Sequence, residues 1–308
     1  MRSFRSGVLG AASLALMLVV GACGSGGGDE GGDGGGAGGD RQELTVGSDA
    51  FPEAQIVGEM YAQVLEEAGY EVDRQLDVEN REIRLPAMES GDIDVAPEYL
   101  ASLLSVVEPE ATPSTDPAEV SDQLQQPLAD LGLTILQYSP AVDTNAFVVT
   151  EDTAEADDLT TVSDLQPVAG DMTLGGPAEC PRRPFCIPGL QDVYNVEFGD
   201  FRPLEYGPAT VAALENGAVD VALLFSTDPL IVERGLVVLE DDKNLQAADN
   251  ITPLVTEDAA TPEVTELLNE VSGALTTETM TDLNARVVVD QEDPATVAED
   301  FLTAEGLL

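Results

Sequence analysis

Pro86-Ala-Met-Glu-Ser-Gly-Asp-Ile-Asp-Val-Ala-Pro-Glu-Tyr99 reads as a helix end, a glycine stop at Gly91, and a short β-branched strand that ends on a ring. The stretch Ala212-Ala-Leu-Glu-Asn-Gly-Ala-Val-Asp-Val-Ala-Leu-Leu-Phe225 lies on it without a gap. Six of the fourteen positions are identical: Ala87/Ala213, Glu89/Glu215, Gly91/Gly217, Asp94/Asp220, Val95/Val221 and Ala96/Ala222. Two copies are too few for a solenoid; they suit two similar α/β lobes. Ligands of open α/β sheets sit beyond the carboxyl ends of the strands, so Tyr99 and Phe225 are expected to face a cleft between the lobes.

The same alternation continues on either side. Glu43–Val46 is a strand, followed by turn chemistry at Gly47-Ser48-Asp49 and a helix from about Glu53. Ile56, Val57, Met60, Tyr61, Val64 and Leu65 form its apolar stripe, and Gly69 ends it. Glu71–Leu76 is strand-like, and Glu82–Glu89 is a helix. The rhythm restarts with strands at Met172–Leu174 and Phe201–Leu204, a helix at Pro208–Glu215 and a buried strand at Val219–Phe225. From Pro262 the chain is mostly helical, and Asp293-Pro294 looks like an N-cap followed by proline at the first helical position. Strands alternating with helices imply parallel pairing in an α/β fold.

The first forty residues read as address and tether. Arg2 and Arg5 precede the apolar run Val8–Val20, which is too short for a comfortable membrane span and has signal-peptide proportions. It ends in Val20-Gly21-Ala22-Cys23, which resembles a lipobox. Residues 1–22 are therefore expected to be a lipoprotein signal peptide and Cys23 the lipidated residue; the alternative is an ordinary secretory signal with a chance cysteine. Eleven of the seventeen residues of Gly24–Asp40 are glycine, so residues 23–40 are expected to form a disordered tether. The protein is then placed on the extracytoplasmic face of the cell membrane. The other cysteines, Cys180 and Cys186, are expected to pair in that oxidising compartment, with free thiols as the alternative.

Composition removes whole classes of function. Among 308 residues there are 59 acidic and 12 basic side chains, no His and no Trp, for a net charge of −47. Such a polyanion has no basic surface for nucleic acid. Without His there is no Ser-His-Asp hydrolysis, no Cys-His proteolysis and no His-ligated zinc or haem. There is no phosphate loop of the GxxxxGK[ST] type, no metal-ligand cluster and no nucleophile beside a base. An enzyme is not expected, nor a cofactor. The acidity fits a saline medium that screens self-repulsion, and it also concentrates cations around the protein.

Three stretches carry a closer likeness: Leu44-Thr-Val-Gly-Ser-Asp-Ala-Phe-Pro-Glu53, Gly58-Glu-Met-Tyr-Ala-Gln63 and Gly91-Asp-Ile-Asp-Val-Ala-Pro-Glu-Tyr99. With Val219–Val221, Ser226–Asp228, Val238–Lys243, Leu275–Glu278 and Leu283-Asn284, in that order and spacing, the chain resembles the glycine betaine/carnitine/choline (osmoprotectant) binding lipoproteins of ABC importers. The resemblance implies a two-lobed periplasmic-binding-protein-like (type II) α/β fold with two crossing hinge strands. Lobe one would be residues 41–142 plus 251–308, and lobe two 143–250, with crossings near Ile135–Val149 and Ala247–Val255. It further implies a monomer that captures a small cationic or quaternary-ammonium solute and passes it to permease and ATPase subunits.

In that family rings surround the cation, because a quaternary ammonium cannot hydrogen bond and ring faces are its best partners. Here Tyr99 and Phe225 keep rings, while Asn145 and Val211 fall where the other two are usual. Asp49 falls where a lysine or a neutral polar residue often holds a ligand carboxylate. This depletion leaves open a same-fold receptor for an uncharged or aromatic solute. The candidate ligand-binding residues are Tyr99, Phe225, Asp49, Asn145, Arg81, Thr227, Glu98 and Asp228, and each has a structural alternative. Tyr99 and Phe225 are core residues if not site residues, Asp49 an Asx turn, Asp228 an N-cap before Pro229, and Asn145 a buried amide. Glu98 is either a solvated acid or a second counter-charge, and Arg81 either solvated or a partner for an anionic ligand group. Arg182 and Arg183 stand out against the acidic background, as permease contacts or helix caps.

Overall fold

The computed structural model describes residues 43–308. The expected signal peptide, the lipidated Cys23 and the tether lie outside the described residues. The first part of the chain runs β1 (Glu43–Asp49), α1 (Pro52–Glu67), β2 (Glu71–Val78), α2 (Arg81–Glu89), β3 (Val95–Tyr99), α3 (Leu100–Val107), α4 (Pro117–Ala129) and β4 (Leu133–Ile135). The middle carries β5 (Asn145–Val149), α5 (Glu151–Asp157), β6 (Thr173–Gly176), the one-turn helix α6 (Ile187–Gly189), β7 (Asp200–Pro203), α7 (Pro208–Glu215), β8 (Val221–Phe225), the short α8 (Leu230–Glu233) and β9 (Val237–Val238). The chain ends with β10 (Ile251–Thr256), α9 (Pro262–Ala274), α10 (Thr277–Val288) and α11 (Pro294–Glu305).

The strands form two five-stranded sheets, ordered β2-β1-β3-β10-β4 and β7-β6-β8-β5-β9. The orders match place for place. β1 pairs in parallel with β2 and β3, and β6 in parallel with β7 and β8. Each sheet also holds one antiparallel neighbour, β10 against β3 and β5 against β8. These are the strands that follow each passage between lobes, so the expectation of parallel pairing holds for the βαβ units and fails at the crossings.

The echo read in the sequence is an echo of hydrogen bonds. Gly91 and Gly217 take φ of +78° and +65°, the left-handed region where glycine stops a helix at least cost. The Asp94 carboxylate accepts from Thr45 N at 2.8 Å, and that of Asp220 from Thr173 N at 2.9 Å. Each aspartate also donates its own N–H to the same threonine's carbonyl. The shared aspartates thus pin β3 to β1 and β8 to β6. The N-cap read at Asp293 is present, its side chain accepting from Ala295 N at 3.0 Å.

Between the sheets the chain crosses twice. The segments pair through an antiparallel bridge of Val142 with Asn250, supported by Asp143 N to Asp249 O at 3.1 Å and Ser139 N to Ile251 O at 2.8 Å. α1 is buried under α9, α10 and α11: Ile56, Val57, Met60 and Leu65 pack with Leu268, Val271, Met280, Val297 and Leu302. The second lobe has its own core around Leu174, Leu190, Tyr194, Val221 and Leu223. Cys180 and Cys186 are disulfide-bonded, with Cα atoms 5.3 Å apart.

Candidate ligand-binding cleft

A cavity of about 570 Å³ lies where both sheets end. That size falls within the roughly 300–1,000 Å³ of small-molecule sites. β3 delivers Tyr99 to it and β8 delivers Phe225. In register, Ile251 pairs with Tyr99 and Asn145 with Phe225, so both rings stand at the strand ends where the crossings begin.

Two further rings join them. Phe51 precedes Pro52, and a residue before proline is pushed to extended backbone. Its φ of −133° and ψ of 155° keep it out of α1, and its ring lies 5.1 Å from Phe225 and 6.2 Å from Tyr99. Tyr206 precedes Gly207, whose φ of +89° makes the turn into α7, and its ring stacks on Phe225 at 4.0 Å. Four rings from two lobes thus meet. Val211, where the resemblance expects a ring, is buried with Ala146, Leu214 and Leu224 instead, and Tyr206 supplies the aromatic face.

The walls are acidic. Asp49, Glu79, Asp143, Glu179, Glu205 and Asp249 line the cavity against two cations, Arg81 and Arg183. Behind the wall lies a buried ion network. Glu98 accepts from Arg81 Nε and Nη2 at 2.8 Å, from Arg84 Nη2 at 2.7 Å and from Tyr99 N at 2.9 Å. Burial alone would raise this carboxyl, but the two guanidinium charges outweigh it and hold it down to about 2. Arg84 spends its Nε on Asp49 at 2.8 Å.

A second buried acid, Glu53, ties the lobes together. Its Oε1 accepts from the Tyr99 hydroxyl at 2.8 Å, and its Oε2 from Thr227 Oγ1 at 2.6 Å and Asn284 Nδ2 at 2.9 Å. Burial raises its carboxyl, opposed by those three donors. Asp143 is raised well above its ordinary range by burial and then by the Glu53 charge. Its Oδ1 accepts from Thr227 N at 3.2 Å and Ser226 Oγ at 3.1 Å. Burial likewise lifts Asp249 to about 6, against the hydroxyl and N–H of Ser102.

Of the residues singled out in the sequence, Tyr99, Phe225, Asp49, Asn145 and Arg81 line the cavity. Asn145 donates to Phe185 O at 3.2 Å and Gln246 Oε1 at 3.3 Å. The other three stand back from it. Glu98 is wholly buried among its arginines, not a solvated acid. Thr227 is buried against Glu53, and Asp228 accepts from Leu230 N at 2.9 Å as the turn before α8. Sequence reasoning missed Phe51, Tyr206, Asp143, Asp249 and Glu53. The pre-proline position of Phe51 and the Gly-Pro turn after Tyr206 were the available signals. Among the described residues no His, Cys, Asp or Glu group is arranged to hold a metal ion.

Two matched α/β sheets, two crossing segments and a ring-lined cavity between them define a solute-binding protein that holds its ligand between lobes. The chain belongs to the family of substrate-binding domains of ABC-type glycine betaine transport systems, which matches residues 42–304. It is 30% identical over 280 residues to the glycine-betaine-binding protein of Pseudomonas aeruginosa, covering 87% of this chain and 89% of that one. It is 28% identical over 274 residues to the carnitine transport binding protein OpuCC of Listeria monocytogenes, covering 85% and 86%. The crystal structure of a glycine betaine/carnitine/choline ABC transporter matches with a TM-score of 0.68 at 27% identity, over 86% of this chain and 99% of that one.

Proposed function

We propose that this protein captures a small cationic, quaternary-ammonium solute between its lobes and hands it to the permease of an ABC importer. The observation that carries the reading is the meeting of Phe51, Tyr99, Tyr206 and Phe225 in a cavity walled by carboxylates. A permanent cation finds its best partners in ring faces, and the surrounding negative charge favours it over neutral solutes. The names of the relatives, which bind glycine betaine and carnitine, support the same solute class.

Lobe one comprises residues 41–142 plus 251–308 in this reading, and lobe two 143–250, hinged at the crossings. Asp49, Arg81, Asn145, Tyr99 and Phe225 act at the ligand, Glu98 and Thr227 act through their neighbours, and Asp228 shapes the turn. Cys23 carries the lipid and residues 24–40 the slack, holding a monomer at the outer face of the membrane; residues 1–22 are removed. The ligand is not chemically changed, and ATP is hydrolysed in a separate subunit.

A thermal-shift panel of choline, glycine betaine, carnitine and a histidine betaine at fixed ionic strength tests this. A ligand that binds only the folded form raises Tm by mass action. At least one quaternary amine is expected to do so. A flat response to all of them, with no change of any solute by the purified protein, removes the proposal.

A further inference from the structure

Glu53 and Asp143 are buried together where the lobes meet, 2% and 3% exposed. Glu53 stands on α1 of lobe one, and Asp143 on the first passage into lobe two. Both converge on one residue of the turn after β8. Thr227 gives its hydroxyl to Glu53 Oε2 at 2.6 Å and its N–H to Asp143 Oδ1 at 3.2 Å. The carboxyls are close enough for a protonated Asp143 to be a further donor to Glu53. Asp143 Oδ2 is buried and otherwise has no partner.

The groups that face the pair are uncharged or acidic. Tyr99 of β3 and Asn284 of α10 donate to Glu53, and Ser226 donates to Asp143. Asp249 of the second passage accepts at its carbonyl from Asp143 N and at its carboxyl from Ser102. Asp228, beside Thr227, accepts from Leu230 N, and Asp49 of β1 and Tyr206 line the same cavity as Asp143. Among the described residues no guanidinium or ammonium donates to either acid. Arg81 and Arg84 of α2 go to Glu98 and Asp49, and Arg183 goes to Glu82. Two carboxylates in one dry site without a cation cannot both be ionised. One proton between them turns repulsion into a charge-assisted hydrogen bond and occupies the bare oxygen of Asp143. Parting of the lobes would draw Thr227 away from Glu53 and admit water, which returns both acids toward their ordinary behaviour.

We propose that at neutral pH Glu53 and Asp143 share one proton while the lobes are closed on a solute and lose it when the lobes part, so that solute capture takes up a proton. The inference rests on the proposed capture between lobes and adds a dependence on pH to it. Asp143 is the member raised well above its ordinary range, by burial and then by the Glu53 charge. An acid raised in the closed form favours closure fully below its open-state value, and that contribution is lost as pH rises through its closed-state value. Between those limits affinity falls with rising pH, by up to about ten-fold per pH unit. Asp249, lifted to about 6, is mostly ionised above pH 7 and adds little there.

The test is calorimetry on the full folded chain with choline and glycine betaine, at about pH 7 in two buffers of different ionisation heat, which counts the protons exchanged on binding. Uptake of about one proton per solute is expected, with affinity falling several-fold between about pH 7 and 8. A cation that merely sat among carboxylates would draw protons off them, so simple electrostatics gives release instead. In Asp143→Asn, whose amide can donate to Glu53 without titrating, the uptake and the pH dependence are expected to vanish together, whereas Asp249→Asn keeps both. Should Asp143→Asn not fold, the proton count of wild type still decides. Binding by wild type with no proton exchanged or with release, or uptake that persists in folded Asp143→Asn, overturns the proposal while leaving the quaternary-ammonium reading in place. Failure of both solutes to bind wild type removes both.

Discussion

The Thr227 hydroxyl of the second lobe donates to the Glu53 carboxylate of the first over 2.6 Å, and Asn284 reaches both partners, donating to Glu53 Oε2 at 2.9 Å and to Thr227 O at 3.3 Å. The bond spans the lobes directly behind Tyr99, whose hydroxyl occupies the other oxygen of Glu53. A ring of the cleft and a contact between the lobes thus share one buried carboxylate. Thr227→Val keeps the shape and removes the donor. Hydrogen bonds to charged groups contribute about 1.5–3 kcal/mol, so ligand affinity is expected to fall roughly 10-fold or more. Small-angle scattering of the unliganded variant is expected to show a larger radius of gyration than wild type. An unchanged affinity and radius would mean that this bond does not govern closure.

Phe225 touches two of the other three rings, at 4.0 Å to Tyr206 and 5.1 Å to Phe51. Phe225→Leu preserves apolar bulk but removes the ring face. Cation–π attraction of about 0.5–2 kcal/mol is then lost, so quaternary-ammonium affinity is expected to drop up to about 30-fold. Phe225→Tyr is expected to retain it. Equilibrium titration of both variants decides this, and a leucine as good as the native ring would show that apolar bulk alone suffices.

Glu98 gives a pH signature. Its carboxyl is held at about 2 in the fold against an ordinary 4.5, chiefly by Arg81 and Arg84 overcoming burial. A depressed acid contributes stability that is complete above the unfolded value and lost as pH falls through 4.5 toward 2. Glu98→Gln leaves two buried guanidiniums short of a counter-charge. It is expected to cost about 3–5 kcal/mol at pH 7. Urea titrations at pH 7, 5, 4 and 3 should show the gap between wild type and variant narrowing below pH 4.5. A gap independent of pH would place the stabilising charge elsewhere.

Cys180 and Cys186 close a short loop, for which chain entropy predicts about 2–2.5 kcal/mol of stabilisation. In the double Cys→Ser variant Tm is expected to fall by about 5–10 °C. Ligand affinity should fall with it, because Cys180, Arg183, Phe185 and Cys186 of this loop line the cavity. A lower Tm with full affinity would separate the staple from the site.

Much of the fold was legible because its signals are local. The Glu89-Ser-Gly91 and Glu215-Asn-Gly217 stops need only a glycine that tolerates positive φ, and the aspartates three residues beyond each glycine repeat because each caps the same parallel pairing. Tyr99 and Phe225 followed from that repeat. The remainder of the site is non-local. Asp143 meets Thr227 across 84 positions of sequence, and Glu53 meets Asn284 across 231, separations that no periodicity reports. Glu98 read as a solvated acid or a second counter-charge for the ligand, because nothing in its own strand reveals the two arginines of α2 that it pairs with. Tyr206 was passed over because the family resemblance set the ring at Val211, whereas the ring that lines the cavity lies five residues toward the N-terminus, before the Gly207-Pro208 turn.

On the proposed function, four rings on two lobes recognise a permanent positive charge. Calorimetric titration of the protein with choline, glycine betaine and the uncharged choline isostere 3,3-dimethylbutanol measures it directly. At least one cation is predicted to bind ten-fold or more tightly than the isostere, with the difference lost in Phe225→Leu. Binding of the neutral isostere as tightly as the cations, or no binding of either cation, would contradict it.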